Sequence, residues 1–592
     1  MISHLPAFYY LLTALIVPFL PLFLRRILYV VIPLFVLSLI FQLNEQSTYV
    51  VSFLGINLNL LRADSLAKTF AIIFTLSSFA AFLFGFYLKN AFEHAAGFLY
   101  VGAALGVIFA ADLLSLYFFW EVMAVGSTLL VFLNKTQASL KAAYRYFLIH
   151  VVGGLLLLAG VMHYFMETGS LAFDGFDTMS LSSFLILIGF LVNAAAFPFS
   201  SWMPDAYPKS TLMGGVLMSA FTSKTAVYAL LRGFSSWDIL IILGCVMALY
   251  GVIYALIEND IRRLLSYSII HQVGFMLCAV GVGSKLAIAG AAAHAFSHIT
   301  YKGLLWMVAA AVIYRTGKHK FSDLCGLAKQ MPITAFFAFI AAFSAMGLPF
   351  TSGFTTKSLI ILSVEYAGLF WVFLILEVLS AAVFLNAGFK FSYLLFFNGK
   401  NNLRVKEAPI SMLLPMGLLS LLCLLIGCFP NFLYNLLPYA SKVIAKVPST
   451  FSQLYLYSPA ALITKMQLIL FSALAFFLLL PKLKKKNTLT LDVDVTYRKG
   501  FPFLAWCLDK LLNGFNQLCD RLILKQFIPT LCRFAQAAPA TFFIALFKPF
   551  FANNQELEQR FKSRVINNQL SVSVTALSFF ALLCFFIIQQ LF

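Results

Sequence analysis

Residues Leu181–Phe199 read LSSFLILIGFLVNAAAFPF and contain no charged side chain. A hydrocarbon core of about 30 Å is crossed by roughly 20 residues of α-helix. Backbone groups left unpaired in lipid are costly, so only helices and closed barrels span a membrane. The run lacks the alternation of apolar and polar residues that a barrel strand shows, and it therefore predicts most of one membrane-spanning helix.

Similar runs, for example Met466–Leu480, make up most of the chain. Of the 592 residues, 62% are hydrophobic and only 11% are charged, which excludes a soluble globular protein. Counting the apolar stretches between charged or Gly/Pro/Asn-rich breaks predicts an all-α polytopic membrane protein with about 14–16 transmembrane helices. We expect the first run, about Pro6–Leu24, to be retained, because it is longer than the apolar core of a signal peptide.

Charge and cysteine content exclude several other functions. Lys and Arg outnumber Asp and Glu by 41 to 22, which in a polytopic protein reflects cytoplasmic loops rather than nucleic-acid binding. The cluster Lys482–Lys486 marks such a loop. The nine cysteines show neither a Cys-x-x-Cys pair nor a Cys/His metal spacing, and no nucleotide or dinucleotide motif is present. We therefore expect no metal, no cofactor and no catalytic chemistry in this chain.

Charged residues divide the chain into five segments. In the second segment they lie inside apolar runs, where they are costly and therefore candidates for function. The fourth begins with a polar stretch, residues 487–500, which we interpret as an aqueous linker before an amphipathic helix along the membrane. The segments are residues 1–95 (scaffold helices), 96–400 (core with buried charges), 401–486 (C-terminal transmembrane helices), 487–569 (linker and amphipathic helix) and 570–592 (final anchor).

The ionisable residues that lie deepest in apolar runs are Glu121, Lys224, His294, His298, Lys302 and Lys357. The spacing of the two histidines and Lys302 places all three on one face of a helix. No third metal ligand is evident there, and a lysine is a poor neighbour for a divalent cation, so we interpret this face as a hydrated proton path. Pro349 and Gly353 interrupt the run before Lys357, and broken helices of transporters line ion sites.

Each position also has a structural alternative. Glu121 would end its helix at the membrane interface, Lys224 would snorkel to it, and Lys357 would lie in a loop between two spans. The histidines would be hydrogen-bonded in a packed helix interface. For the charged segment Glu258–Ser268, which opens a new helix, capping and gating are equal alternatives.

Five pieces of sequence, in this order, resemble the antiporter-like membrane subunits shared by Mrp-type sodium/proton antiporters and respiratory complex I. These pieces are Leu113–Glu121, Phe197–Asp205, Asp260–Ser268, His294–Lys302 and Gly347–Lys357. The resemblance implies a fourteen-helix core with two inverted five-helix repeats, each with a broken helix and a half-channel. It places Glu121 in the fifth helix, Lys224 in the eighth, the His294–Lys302 face in the eleventh and Lys357 in the broken twelfth, along a hydrated polar axis.

The C-terminal part carries a similar resemblance. Leu491–Lys499 is similar to the linker before the C-terminal extension of some D-type members of the Mrp antiporters. The segment after it resembles the lateral helix and anchor of the largest complex I antiporter-like subunit. The resemblance thus implies a lateral-helix-like extension beyond the core.

One position departs from the family. Family members usually carry a lysine five residues before the proline that is Pro198 here, and this chain has Asn193. An amide neither accepts nor releases a proton, so Glu121 lacks its usual partner unless Lys224 or Arg145 substitutes. Arg262 also stands where the family often has lysine, and arginine hardly titrates. The supporting residues to examine are Asp112, Arg145, Asn193, Asp205, Arg262 and Arg263.

These features favour an ion-translocating membrane subunit of a multisubunit cation/proton antiporter, moving protons coupled to Na⁺ or another monovalent cation such as K⁺. One alternative is a proton-channel subunit of a complex I, membrane hydrogenase or inorganic-carbon-uptake complex, in which case the chain would be part of a proton-translocating NADH-quinone oxidoreductase or a related assembly. Another is a scaffold subunit impaired in transport, which Asn193 supports. We expect other membrane subunits and lipid as partners, no nucleic acid, and a location in the bacterial plasma (inner) membrane.

Overall fold

A computed structural model of the protein describes residues 5–45, 47–53, 55–399, 404–439, 457–483, 492–533, 545–546, 548–551 and 554–567. The chain divides into two compact units, Met1–Asp494 and Val495–Phe592. In the described residues, 11 helices are long and apolar enough to cross a membrane, and three shorter apolar helices accompany them. The predicted all-α polytopic membrane fold is confirmed.

The N-terminal helices of the first unit include those that carry Glu121 and Lys224. Their ends follow ordinary capping chemistry: Thr136 and Ser180 each begin a helix through a capping box, and Gly169 ends one in the left-handed conformation. The helices are α1 (Pro6–Ile16), α2 (Leu22–Gln42), α3 (Ser65–Phe84), α4 (Ala91–Phe109), α5 (Leu113–Phe132), α6 (Gln137–Thr168), α7 (Leu181–Asn193), α8 (Trp202–Ala206), α9 (Leu212–Ala220) and α10 (Thr222–Gly233).

The following helices contain the centre of the unit. In two of them, Ile261–Val282 and Lys285–Thr316, 94% of the most apolar 18-residue stretch is buried inside the protein. In Pro459–Leu480 the corresponding share is 6%. The helices are α11 (Asp238–Ile257), α12 (Ile261–Val282), α13 (Lys285–Thr316), α14 (Pro332–Met346), α15 (Ser352–Tyr366), α16 (Phe370–Ala382), α17 (Phe389–Phe396), α18 (Ile410–Cys428), α19 (Asn431–Tyr434) and α20 (Pro459–Leu483).

A β-hairpin stands between α2 and α3, where the sequence predicted only apolar spans and short connections. Its strands β1 (Thr48–Phe53) and β2 (Ile56–Arg62) pair in antiparallel fashion. The alternation of apolar and polar residues in Ile56–Leu60 is the local strand signal. The hairpin is tied to the core at α5, because the Asn59 amide donates to Asp112 Oδ2 over 2.7 Å.

Two of the interruptions within spans precede the candidate lysines Lys224 and Lys357. Phe221 separates α9 from α10, and residues 347–351 separate α14 from α15. At the second break Gly347 has φ 79°, and a Cβ atom at Gly353 would lie 1.8 Å from the Ser344 carbonyl oxygen, so only glycine permits this approach of the two halves. If each interrupted pair counts as one span and α8 as a connector, Glu121 lies in the fifth span, Lys224 in the eighth, His294–Lys302 in the eleventh and Lys357 in the twelfth. The inverted symmetry of the two repeats stays a prediction.

The second unit begins within a long helix. Helix α21 (Asp494–Cys519) continues through a π-helical segment, Asp520–Phe527, and α22 covers Gln555–Asn567. Helix therefore starts inside the segment that was interpreted as an aqueous linker, and Asp492 just before it is buried. The side chains of the basic cluster Lys482–Lys486 and the predicted anchor 570–592 lie outside the described residues.

Candidate functional site

Lys224 lies in the first turn of α10, directly after the break at Phe221, and is fully buried. Its ammonium group donates to the Ser219 carbonyl oxygen over 2.7 Å and to Ser223 Oγ over 3.2 Å. The last carbonyl groups of a helix have no partner within that helix and carry the negative end of its dipole. The interrupted helix thus provides neutral oxygen acceptors for a cation within a span.

Lys357 has the same relation to the second break. It lies in α15, not in a loop, and its ammonium group donates to the Ala345 carbonyl oxygen at the end of α14 over 2.7 Å. Only 2% of the residue is exposed. Two buried lysines therefore each hold the carboxyl end of the first half of a broken helix.

His294, His298 and Lys302 line one face of α13 between these lysines, and all three are fully buried. His294 bridges two neighbouring helices, because its Nδ1 lies 3.1 Å from Thr356 Oγ1 and its Nε2 lies 2.8 Å from Gln272 Oε1. Thr356 directly precedes Lys357 in α15. The Lys302 ammonium group donates to Ser268 Oγ on α12.

His298 differs from its neighbour. Neither of its ring nitrogens has a hydrogen-bond partner among the described residues. Its ring lies 6.1 Å from the His294 ring and 5.3 Å from the Tyr301 ring. The structural alternative of hydrogen-bonded histidines therefore fits His294 and not His298. In the part of the chain that the structure describes, no group of three or more His, Cys, Asp or Glu side chains could hold a metal ion.

The N-terminal candidates are arranged differently. Glu121 lies midway along α5, which rules out the helix-end alternative, and its Oε1 has no hydrogen-bond partner among the described residues. The carboxylate rests against α6 at Gly154, where a Cβ atom would lie 1.7 Å from Glu121 Oε1. Asn193, the last residue of α7, is fully buried, and neither atom of its amide group has a described partner.

Arg145, one of the two residues that could have replaced the missing partner of Glu121, binds a different carboxylate. Arg145 donates to both oxygens of Asp205 over 2.7 and 2.9 Å, and Lys209 donates to Asp205 Oδ1 over 2.6 Å. Asp205 lies in α8, outside the candidate spans. Burial alone would raise the pKa of Asp205, but the hydrogen bond from Arg145 and the charge of Lys209 lower it to about 2. None of the ion pairs formed by the described residues includes Glu121.

The remaining supporting residues hold helix ends. Asp112 is the N-cap of α5 and accepts from the Ser115 amide over 2.7 Å. Asp260 caps α12 in the same way by accepting from the Arg262 and Arg263 amides. The Arg262 side chain donates to the Ser210 carbonyl oxygen over 2.9 Å, and the Arg263 guanidinium lies 3.3 Å from Glu258. This geometry fits the capping alternative for the charged segment.

Sequence reasoning did not single out several buried or half-buried polar residues. Gln272 and Ser268 on α12 accept from the α13 face, and Glu377 on α16 pairs with Lys465 on α20. Lys390 in α17 is fully buried and donates to the Leu256 carbonyl oxygen over 2.9 Å, at the end of α11. The charged members of this group were visible by the same rule that selected Lys224, namely an ionisable residue inside an apolar run. The uncharged ones carry no comparable signal.

Known proteins of one family are similar to this chain. Residues 110–384, which include all six candidate ion-path residues, match the family described as NADH:quinone oxidoreductase/Mrp antiporter, TM. NADH-quinone oxidoreductase subunit N of Desulforudis audaxviator is 32% identical over 374 residues, which are 57% of this chain and 74% of that protein. The chain belongs to this family. It is an integral membrane protein with the fold of the antiporter-like subunits.

Two further matches extend beyond the family segment. One of the Na(+)/H(+) antiporter subunits of Alkalihalophilus pseudofirmus is 29% identical over 501 residues, 73% of this chain, and the chain spans only 62% of that protein. The solved structure of the membrane-bound sulfane sulfur reductase, an archaeal respiratory membrane complex, contains a chain with 25% identity and a TM-score of 0.70. That match covers 93% of this chain and 99% of the other.

Proposed function

We propose that this chain is the ion-translocating membrane subunit of a multisubunit cation/proton antiporter, in which protons move coupled to Na⁺ or another monovalent cation. The observation that supports the proposal is the row of buried cationic and imidazole groups from Lys224 to Lys357, held by neutral oxygens. Among the described residues no carboxylate pairs with Lys224, Lys302 or Lys357. A buried lysine without a counter-charge is costly unless it is hydrated or gives up its proton, and both conditions suit a proton path.

In this proposal the path runs across α10, α13 and α15. Lys224 and Lys357 mark its ends at the two broken helices, while His298 and Lys302 carry protons between them. His294 joins the α13 face to Thr356, the residue before Lys357 in α15. Other membrane subunits complete the complex in the bacterial plasma membrane, and Glu121 has a lesser role because no described cation pairs with it.

A second candidate is a proton-channel subunit of a redox-linked complex. The match to the sulfane sulfur reductase chain favours it, because that alignment covers 99% of the other chain whereas the Alkalihalophilus antiporter protein is covered to 62%. A scaffold subunit impaired in transport is the third, supported by the Asn193 amide, which has no described partner. The redox-linked hypothesis keeps the same path and differs only in what drives it.

The test is proton flux in membrane vesicles that carry the chain with its partner subunits. A pH-sensitive dye reports the response to added Na⁺, K⁺ or an electron donor, which separates the antiporter from the redox-linked complex. Lys357→Ala should lower the flux strongly while the amount of assembled complex stays constant. If both Lys357→Ala and Glu121→Ala transport at the parent rate, the proposed path is wrong and the scaffold hypothesis holds.

A further inference from the structure

A small cavity lies beside Lys357, away from the α13 face. Helices α14, α15, α16 and α20 all contribute to its wall, which includes Lys357, Ser358, Ser380, Lys465 and Ser472. Its volume of about 20 Å³ is enough for one water molecule. Lys357 and a second lysine therefore line the same water-sized cavity.

That second lysine is held by a carboxylate. The Lys465 ammonium group donates to Glu377 Oε1 over 2.7 Å and to Oε2 over 2.8 Å. The Lys465 side chain is 18% exposed and that of Glu377 22%, whereas Lys357 is 2% exposed. The pair thus lies between the buried Lys357 and the surface of the first unit.

We infer that Lys465 is a further proton-carrying residue, which joins Lys357 to this surface, and that Glu377 is its positioning residue. This inference rests on the proposed function. Lys465 releases a proton toward the surface and becomes a neutral amine. The Lys357 ammonium then passes a proton through a water in the cavity to Lys465, and Lys357 becomes neutral in turn. Glu377 stays ionised and stabilises the restored ammonium group.

The decisive variant is Lys465→Arg, tested in the assembled complex in vesicles. Arginine keeps the charge and pairs well with Glu377, but it does not release its proton. A purely structural ion pair would therefore retain its function in Lys465→Arg, whereas a proton carrier would not. We expect proton flux to fall on the order of 100-fold, the contribution typical of a positioned proton-transfer group, with assembly unchanged. Flux within about twofold of the parent protein overturns the inference.

Two measurements separate this inference from the proposed function. Lys357→Ala is measured in parallel: if it abolishes flux while Lys465→Arg does not, only the inference fails, and if it leaves flux unchanged the proposed function itself fails. If Lys465→Arg does not assemble, access to the cavity is measured instead in otherwise native protein. Ser472→Cys should react with a small water-borne thiol reagent, whereas Ser363→Cys, whose native hydroxyl is buried against the Ile360 carbonyl, should not. Equal, background-level labelling of both overturns the inference.

Discussion

The α5–α7 region and the α10–α15 region both place ionisable residues inside membrane helices, but they hold these residues differently. In the second region Lys224, Lys302 and Lys357 each donate to a neutral oxygen of a neighbouring residue or helix. In the first, Glu121 Oε1 and the Asn193 amide have no described partner, and Arg145 binds Asp205. The same helical framework therefore holds buried lysines on neutral oxygens in one region and uses its basic residue in an ion pair in the other, and the proposed function assigns proton exchange to the first.

The largest effect should come from removing charge in the α10–α15 region. Lys302→Met keeps the side-chain volume but cannot carry a proton, so we expect vesicle proton flux to fall on the order of 100-fold. Stability should change little, because the buried ammonium group and its hydrogen bond to Ser268 are lost together. Flux is read with a pH-sensitive dye, and stability from thermal melting of the purified protein in detergent.

Lys390 offers a matched control for that variant. It is as buried as Lys302 and, like Lys224 and Lys357, it bonds to carbonyl oxygens at the end of a helix, but that helix, α11, ends at a loop and not at a break within a span. Lys390→Met should leave flux within about twofold and lower stability instead, by about 1–3 kcal/mol, because two backbone carbonyl oxygens at the end of α11 lose their donor, whereas Lys302→Met leaves only one hydroxyl group without its partner. Equal losses of flux in both variants would show that any buried lysine matters, and would remove the distinction between the two regions.

The structural role of Arg145 predicts a pH-dependent stability in the α5–α7 region. The pKa of Asp205 falls from an ordinary 3.8 to about 2 in the folded protein. The ionised Asp205 carboxylate therefore contributes to the free energy of unfolding above pH 4, and this contribution is lost as the pH falls toward 2. A pKa shift of this size corresponds to about 2 kcal/mol. Asp205→Asn should melt earlier than the parent at pH 7, with the difference shrinking below pH 4.

Lys209→Gln is the control for this prediction. It removes one of the two donors and leaves Arg145 in place, so we expect a smaller loss of stability than in Asp205→Asn. If the melting temperatures of Asp205→Asn and the parent protein differ by the same amount from pH 7 to pH 2.5, the assignment of the Asp205 ion pairs is wrong. If Asp205→Asn instead loses much of its proton flux at unchanged stability, Arg145 and Asp205 act in transport and not in holding the structure.

A third prediction concerns how the α10–α15 region is attached to the start of the C-terminal extension. The Asp492 carboxylate accepts from Tyr250 OH over 2.5 Å and from Tyr267 OH over 2.6 Å, and Tyr267 directly precedes the Ser268 that binds Lys302. Asp492→Asn leaves one tyrosine without an acceptor and should lower stability by about 1–2 kcal/mol. In the Tyr267→Phe background the same change should cost less, as a double-mutant cycle of melting temperatures would show. Additive losses would mean that the two side chains do not interact.

The two regions also differ in how much of them could be predicted. The apolar runs predicted the helical membrane fold, because only helices and closed barrels satisfy the backbone hydrogen bonds in lipid. Charged residues within such runs are easily recognised as candidates for function. The hairpin was missed because a short alternating stretch between long spans is a weak signal. Partners such as Ser268, Gln272 and Thr356 could not be predicted, since uncharged polar residues occur throughout the chain. The pairing of Glu377 with Lys465, 88 residues apart, depends on how the helices are arranged.

The smallest expected effect tests whether the α5–α7 region lacks only its basic residue. Glu121→Gln alone should change flux by no more than about twofold, because no described cation depends on this carboxylate. Trp120 and Phe190 bring α5 and α7 together with ring centroids 5.1 Å apart, so a lysine one turn beyond Phe190 can reach toward Glu121. Asn193→Lys should then make the Glu121→Gln change costly, with a coupling of about 1 kcal/mol in a double-mutant cycle of melting temperatures. Zero coupling would mean that Glu121 and position 193 are not neighbours, and that the difference between the two regions lies in the arrangement of their helices and not in one residue.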